Sequence, residues 1–199
     1  MKKRLLTGLT AFCLCTAPSL YADEITDILN QIRQSYEAKD YKAALDDLNY
    51  ISAKIQKLAA AQNQQLLPKP LDGWQMQLKD DGSQMAISMT GGGTMTQAEY
   101  SRGKELITIQ IIANSPMVSM LAMAINNPML MQSDPGSEPF RYKRLKGVKK
   151  KEGPNTEITL IMAGQILIQL KGENLKDESI LKQYLDTMDM KKIKSELLQ

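Results

Sequence analysis

Residues 157–170 read Glu157-Ile158-Thr159-Leu160-Ile161-Met162-Ala163-Gly164-Gln165-Ile166-Leu167-Ile168-Gln169-Leu170. Two runs rich in isoleucine and leucine flank an Ala-Gly step, the pattern of two buried strands joined by a tight turn in which glycine supplies the unusual backbone angle. A hairpin joins antiparallel neighbours, so the surrounding sheet is antiparallel. Downstream, Asn174 as N-cap introduces a helix from about Asp177, with Ile180, Leu181, Tyr184, Leu185 and Met188 on one face. Upstream, Phe140–Leu145 and Val148–Lys151 read as weaker strands after a loop at Ser133–Pro139.

Further upstream, Met117–Ile125 reads as a short helix begun at Pro116 and ended by Pro128. Thr94–Tyr100 and Leu106–Ala113 form a strand pair across Arg102-Gly103, and Trp74–Leu78 pairs with Met85–Met89 across Asp81-Gly82. Leu66-Leu67-Pro68-Lys69-Pro70-Leu71-Asp72-Gly73 breaks all periodicity and reads as a linker or domain entry. Residues 25–62 contain neither proline nor glycine. Their apolar positions recur at helical spacing in two stripes: Ile25, Ile28, Leu29, Ile32 and Tyr36, then Tyr41, Ala44, Leu45, Leu48, Ile51, Ile55 and Leu58. The polar Lys39-Asp40 step between them is a turn. The expected fold is therefore α+β: an N-terminal antiparallel helical hairpin (23–65), a linker (66–73), and an antiparallel β-sheet domain flanked by helices (74–199).

Residues 1–22 read as a signal peptide, with basic Lys2, Lys3 and Arg4, an apolar run from Leu5 to Leu20, and small Ala22 before Asp23. Cleavage there removes Cys13 and Cys15, the only cysteines, from a chain that has no histidine. Disulfides, thiolate nucleophiles, Ser-His-Asp catalysis and His-ligated zinc are then all excluded. Lys and Arg number 25 against 22 acidic side chains, so losing the three basic residues brings the formal charge to zero. That removes the electrostatic footprint of a nucleic-acid binder. Phe12 before Cys13 argues against lipoprotein processing, and no later apolar run is long enough to span a membrane. The expected location is periplasmic or secreted.

Tyr36 at the end of the first helix and Asp40-Tyr41-Lys42-Ala43-Ala44-Leu45 at the start of the second resemble one tetratricopeptide unit. No second copy follows, and a solenoid needs about three, so an ordinary hairpin is the expectation. The run Leu67–Trp74, the Tyr100-Ser101-Arg102-Gly103 step and Ile107–Ile111 leading to Asn114-Ser115-Pro116-Met117 resemble a family of uncharacterised secreted bacterial proteins with a PsbP-like domain. The resemblance implies an antiparallel sheet flanked by helices, and no catalytic residues carry over from it.

Met117, Met120, Met123, Met129 and Met131 form the most distinctive cluster. Helical geometry puts Met117 and Met120 on one arc with Val118, Leu121, Ala124 and Ile125, which makes them core residues. An adaptable apolar groove and a Cu(I) site built on Met117, Met120 and Met123 are the alternatives, because thioethers are soft ligands. A second cluster is basic: Arg141, Lys143, Arg144, Lys146, Lys149, Lys150 and Lys151, interleaved with Phe140 and Tyr142. It is a candidate patch for anionic lipid or glycolipid, against the plain alternative of solvated charge on an edge strand. Ser101-Arg102-Gly103-Lys104 has the spacing of the S-x-x-K motif but lacks its partner motifs, and Gly91-Gly92-Gly93 lacks the Gly-Lys-Ser/Thr of a phosphate loop. The functional expectation is a non-enzymatic, cofactor-free binding or assembly protein of the bacterial envelope, with a protein partner or a second copy of itself. A carrier of lipid, small ligand or Cu(I) using segment 117–131 is the alternative.

Overall fold

The computed structural model describes residues 19–79, 92–127 and 136–198, with side chains from Glu24 onward. The chain divides into two compact units within its second helix, after Ile51. In the first unit, α1 (Ser19–Glu37) and the first half of α2 (Tyr41–Asn63) run antiparallel, as the two stripes predict. The turn is built locally. Lys39 adopts φ 60°, and the Asp40 carboxylate accepts from the Ala43 N–H at 3.1 Å, capping α2. Further along, the Tyr50 hydroxyl donates to Glu24 at 3.2 Å, and the Tyr36 and Tyr41 rings meet edge-on at 6.0 Å. Ile28, Ala44 and Ile51 are buried.

The second unit is an antiparallel sheet of seven strands: β1 (Gln75–Lys79), β2 (Thr94–Arg102), β3 (Glu105–Ala113), β4 (Ser137–Tyr142), β5 (Leu145–Glu152), β6 (Asn155–Met162) and β7 (Ile166–Glu173). Its order is β1-β2-β3-β7-β6-β5-β4. The hairpin β6–β7 supplies the central strand, β7, with Leu160 opposite Ile168 and Ile158 opposite Leu170. Alternation along the strands puts Ala98, Tyr100, Ile107, Ile109, Ile111, Leu160, Ile168 and Leu170 on one face, all buried. Each such aliphatic contributes roughly 1.5–3 kcal/mol by leaving water. This core is closed by α4 (Ser179–Thr187) and α5 (Met190–Leu197) through Leu181, Tyr184, Leu185 and Ile193. On the opposite face, α3 (Pro116–Ile125) sets Val118 against Ile112 and Leu167 in a smaller cluster. The rest of that face is polar, held by cross-strand bonds such as Gln110 to Gln97 (2.9 Å) and Gln169 to Glu157 (2.8 Å).

Four expectations need correction. The stretch 66–73 is not a free linker: Leu66 and Leu67 are buried in the main core, Pro68 accepts a 2.6 Å bond from the Tyr100 hydroxyl, and Leu71 N–H donates to the Tyr184 hydroxyl. Proline removes donors but leaves carbonyls able to bond side chains, so an aperiodic strap can still be fixed. The strand expected at 140–145 begins earlier, at Ser137, and ends at Tyr142, where Lys143 turns the chain at φ 54°. Asn174 has φ 54° and caps no helix; Asp177 instead accepts from Ser179 N–H just before α4. The C-terminal helix is two helices, broken at Met188-Asp189 because the Asp189 carboxylate accepts from Lys191 and Lys192 N–H, both at 3.0 Å, and starts α5. Asp189→Ala is expected to lower stability by about 1 kcal/mol, the usual worth of such a cap, read as a shift of the urea midpoint with an unchanged slope. The Met85–Met89 strand and Pro128 lie outside the described residues, and β1 pairs with β2.

Candidate interaction surfaces

The basic run is divided by the pleat. Register places Arg141, Lys146 and Lys150 on the polar face of the sheet, Lys149 and Lys151 on the face that carries the core, and Lys143 and Arg144 in the β4–β5 turn. Both lysines on the core side reach Glu178 at the start of α4, Lys149 at 3.3 Å and Lys151 by a shorter contact. The Lys151 hydrogen bond holds the Glu178 carboxyl below the usual carboxylate range. Lys146 donates to Asn126 at 3.2 Å, and the Lys143 ammonium stands 4.9 Å from the centre of the Tyr142 ring. A two-residue period sends neighbouring charges to opposite faces, so seven cations close in sequence do not make one patch.

The methionines are not core residues. Met117, Met120 and Met123 are 41%, 72% and 74% exposed, whereas Val118 and Ala122 are buried against the sheet. On a helix this apolar, two sides qualify as an inward stripe. The sheet takes the side with the smaller side chains, which lets the helix approach closely. The three thioethers then share an outward arc of about 120°. Met129 and Met131 lie outside the described residues.

A third surface was only partly legible. Of the two hairpin stripes, Ile28, Ala44 and Ile51 are buried, whereas Leu29, Tyr36, Tyr41, Leu45, Leu48, Ile55 and Leu58 are each between 44% and 66% exposed. The spacing of these residues is visible in the sequence. Their exposure is not, because a stripe at helical period looks the same whether its partner lies in the same chain or another.

Two features were missed from sequence. A cleft of about 380 Å³ lies between the strap and the α4–α5 corner, lined by Leu66, Lys69, Leu71, Met188, Lys192 and Ile193 among others. Near the other end of the strap, Arg102 lies 4.7 Å from the centre of the Trp74 ring and donates to Glu105 at 3.0 and 3.4 Å, while Lys176 N–H donates to the same carboxylate at 3.0 Å. The Glu105 side chain is only 5% exposed. Arg102 first, then the Lys176 amide, holds its carboxyl below the usual 4.5. A depressed carboxyl stabilises the fold above its unfolded pKa, and that contribution fades as pH falls below 4.5 toward the lowered value. Glu105→Gln is therefore expected to flatten the acid limb of a plot of melting temperature against pH. An unchanged acid limb would show that the pair is not formed.

No helix among the described residues is long and apolar enough to cross a membrane. No protein-family model, curated protein or solved structure matches this chain.

Proposed function

We propose that this chain is an exported, non-enzymatic binding or assembly protein of a bacterial cell envelope, acting in the periplasm or outside the cell through protein–protein contacts. One observation carries the reading: among the described residues, helices α1 and α2 leave eight large apolar side chains about half exposed. Exposed apolar side chains repeated along a helix face mark a docking face. The signal-like start with Cys13 and Cys15 inside it, and the absence of histidine, support export and argue against acid–base or nucleophilic catalysis. The PsbP-like resemblance remains part of this proposal at the level of layout.

Two measurements test it. Mass spectrometry of the protein from an envelope fraction should give a chain beginning at Asp23, and retention of residues 1–22 would overturn export. A photo-reactive residue at position 45 should form adducts heavier than the monomer in growing cells, while one at Gln75, on the edge strand β1, should not. No adduct at position 45 would overturn the protein-contact reading.

A second reading has its own support. Three outward thioethers at i, i+3 and i+6 could present soft donors to Cu(I). Titration with Cu(I) against a competing chelator, on wild type and on Met117→Leu/Met120→Leu/Met123→Leu, decides it. Tight stoichiometric binding lost in the variant would make this a copper-handling protein. Equal weak binding by both would remove the reading.

A further inference from the structure

Helix α3 crosses the strands of the sheet. It begins just past the end of β3, sets Val118 against Ile112 and Leu167 with Ile161 packed beside them, and is capped by Asn126, whose side chain accepts from Lys146 of β5 at 3.2 Å. The floor residues belong to one row: Ile112 of β3 is opposite Leu167 of β7, Leu167 opposite Ile161 of β6, Ile161 opposite Lys146 of β5, and Lys146 opposite Arg141 of β4. At ten residues the helix is about 15 Å long, close to three strand spacings of about 4.8 Å. It covers the apolar part of the row and stops where the cations begin.

Two surfaces far apart in sequence therefore adjoin. Val118 and Ala122 face the sheet, and by helical phase Met120 points directly away from it, with Met117 and Met123 to either side. Arg141 and Lys146 rise from the same side of the sheet beside the end of the helix, and both are exposed. No carboxylate neutralises them. Lys146 bonds a neutral amide, residues 116–125 carry no charge, and among the described residues neither cation forms an ion pair.

We propose that this ridge docks on an anionic lipid surface, with the methionine arc of α3 set among the upper acyl chains and Arg141 and Lys146 on lipid phosphates. Charge complementarity selects an anionic layer, and shape selects lipid. A helix lying on the outside of a sheet is convex, so a fluid layer can close around its flexible thioethers, where a folded partner would need a matching groove. Long basic side chains lay their stems along apolar surface and keep their charge at the level of the phosphates. No residue of the hairpin takes part, so this surface stands apart from the protein-contact reading above.

The full chain with Cys13→Ser/Cys15→Ser and one environment-sensitive fluorophore on Ser119→Cys reads the contact at the site itself. Ser119 is exposed on α3, and labelling it leaves all three methionines in place. Vesicles of phosphatidylglycerol and phosphatidylcholine should shift its emission to the blue, and vesicles of phosphatidylcholine alone should not. The same label on Lys194→Cys, exposed on α5 across the sheet, should not shift. Arg141→Gln/Lys146→Gln should raise the lipid concentration at half-shift by roughly 30-fold, the worth of two basic residues near an anionic surface. Met120→Gln/Met123→Gln should weaken the shift at an unchanged melting temperature, because both side chains are mostly in water. No shift at position 119, or equal shifts at 119 and 194, would overturn the docking. A shift that phosphatidylcholine alone gives equally, or that the charge variant keeps in full, would overturn the part assigned to Arg141 and Lys146. A shift given by poly-glutamate and not by the vesicles would replace the lipid surface with an acidic protein partner.

Discussion

Gly147→Ala is expected to cost on the order of 3–5 kcal/mol, in the range reserved for overpacked cores and broken backbone pairing. Gly147 sits in β5 opposite Leu160 of β6 and Phe140 of β4. A Cβ there would overlap the Thr159 carbonyl oxygen and lie 3.0 Å from the Leu160 Cα. Both obstacles are backbone, so no side-chain rotation relieves them, and the β5–β6 ladder must open locally. Gly153→Ala is the control: its φ is 59° and an added Cβ meets nothing within 4 Å. Only backbone strain remains, worth about 1 kcal/mol. Denaturant midpoints of the two variants give the comparison, and a Gly147→Ala cost no greater than that of Gly153→Ala would contradict the close approach of the two strands.

Tyr184→Ala is expected to destabilise by about 3–5 kcal/mol, the usual range for deleting a buried aromatic. Tyr184 is fully buried, stands edge-on to Trp74 at 5.9 Å and tilted against Tyr100 at 4.8 Å, and its hydroxyl accepts from Leu71 N–H at 3.4 Å. Burial pushes the phenol pKa of Tyr184 upward, so it stays protonated through the ordinary pH range. Tyr184→Phe removes only the hydroxyl and should cost about 1 kcal/mol. The larger variant should also expose the strap to protease near Lys69, because Tyr184 and Tyr100 are its two side-chain anchors. Unaltered digestion at Lys69 would show that the Tyr100 bond to Pro68 and the burial of Leu66 and Leu67 hold the strap without Tyr184.

The hairpin β6–β7 and the pair β2–β3 are legible to within three residues because each strand is a dense apolar run ended by a turn signal, and the helix after Ser115 because Pro116 fixes its start. The α+β class follows from these alone. What escaped notice did so for identifiable reasons. The strap 66–73 lacks any period, and its anchors, Tyr100 and Tyr184, lie 32 and 113 residues from the backbone groups that they bond. Ser137–Pro139 sits in an edge strand, where proline forfeits a ladder bond on the open side and so looks like loop. The inward side of α3 could not be chosen from hydrophobicity, since methionine, valine, leucine and alanine leave almost no polar side. The candidate surfaces follow the same division: the residues of the hairpin stripes and of the basic run can be named from spacing, while exposure in the first and division between faces in the second require the fold.

The outward methionines also bear on chemical wear. Among the described residues, Met120 and Met123 offer an oxidant the most exposed thioethers, and conversion to sulfoxide would turn the exposed side of α3 polar. The attachment of the helix to the sheet runs through Val118 and Ala122, whose side chains carry no sulfur. Repeated oxidation and repair at these positions would therefore alter what the surface can bind while leaving the sheet beneath it undisturbed.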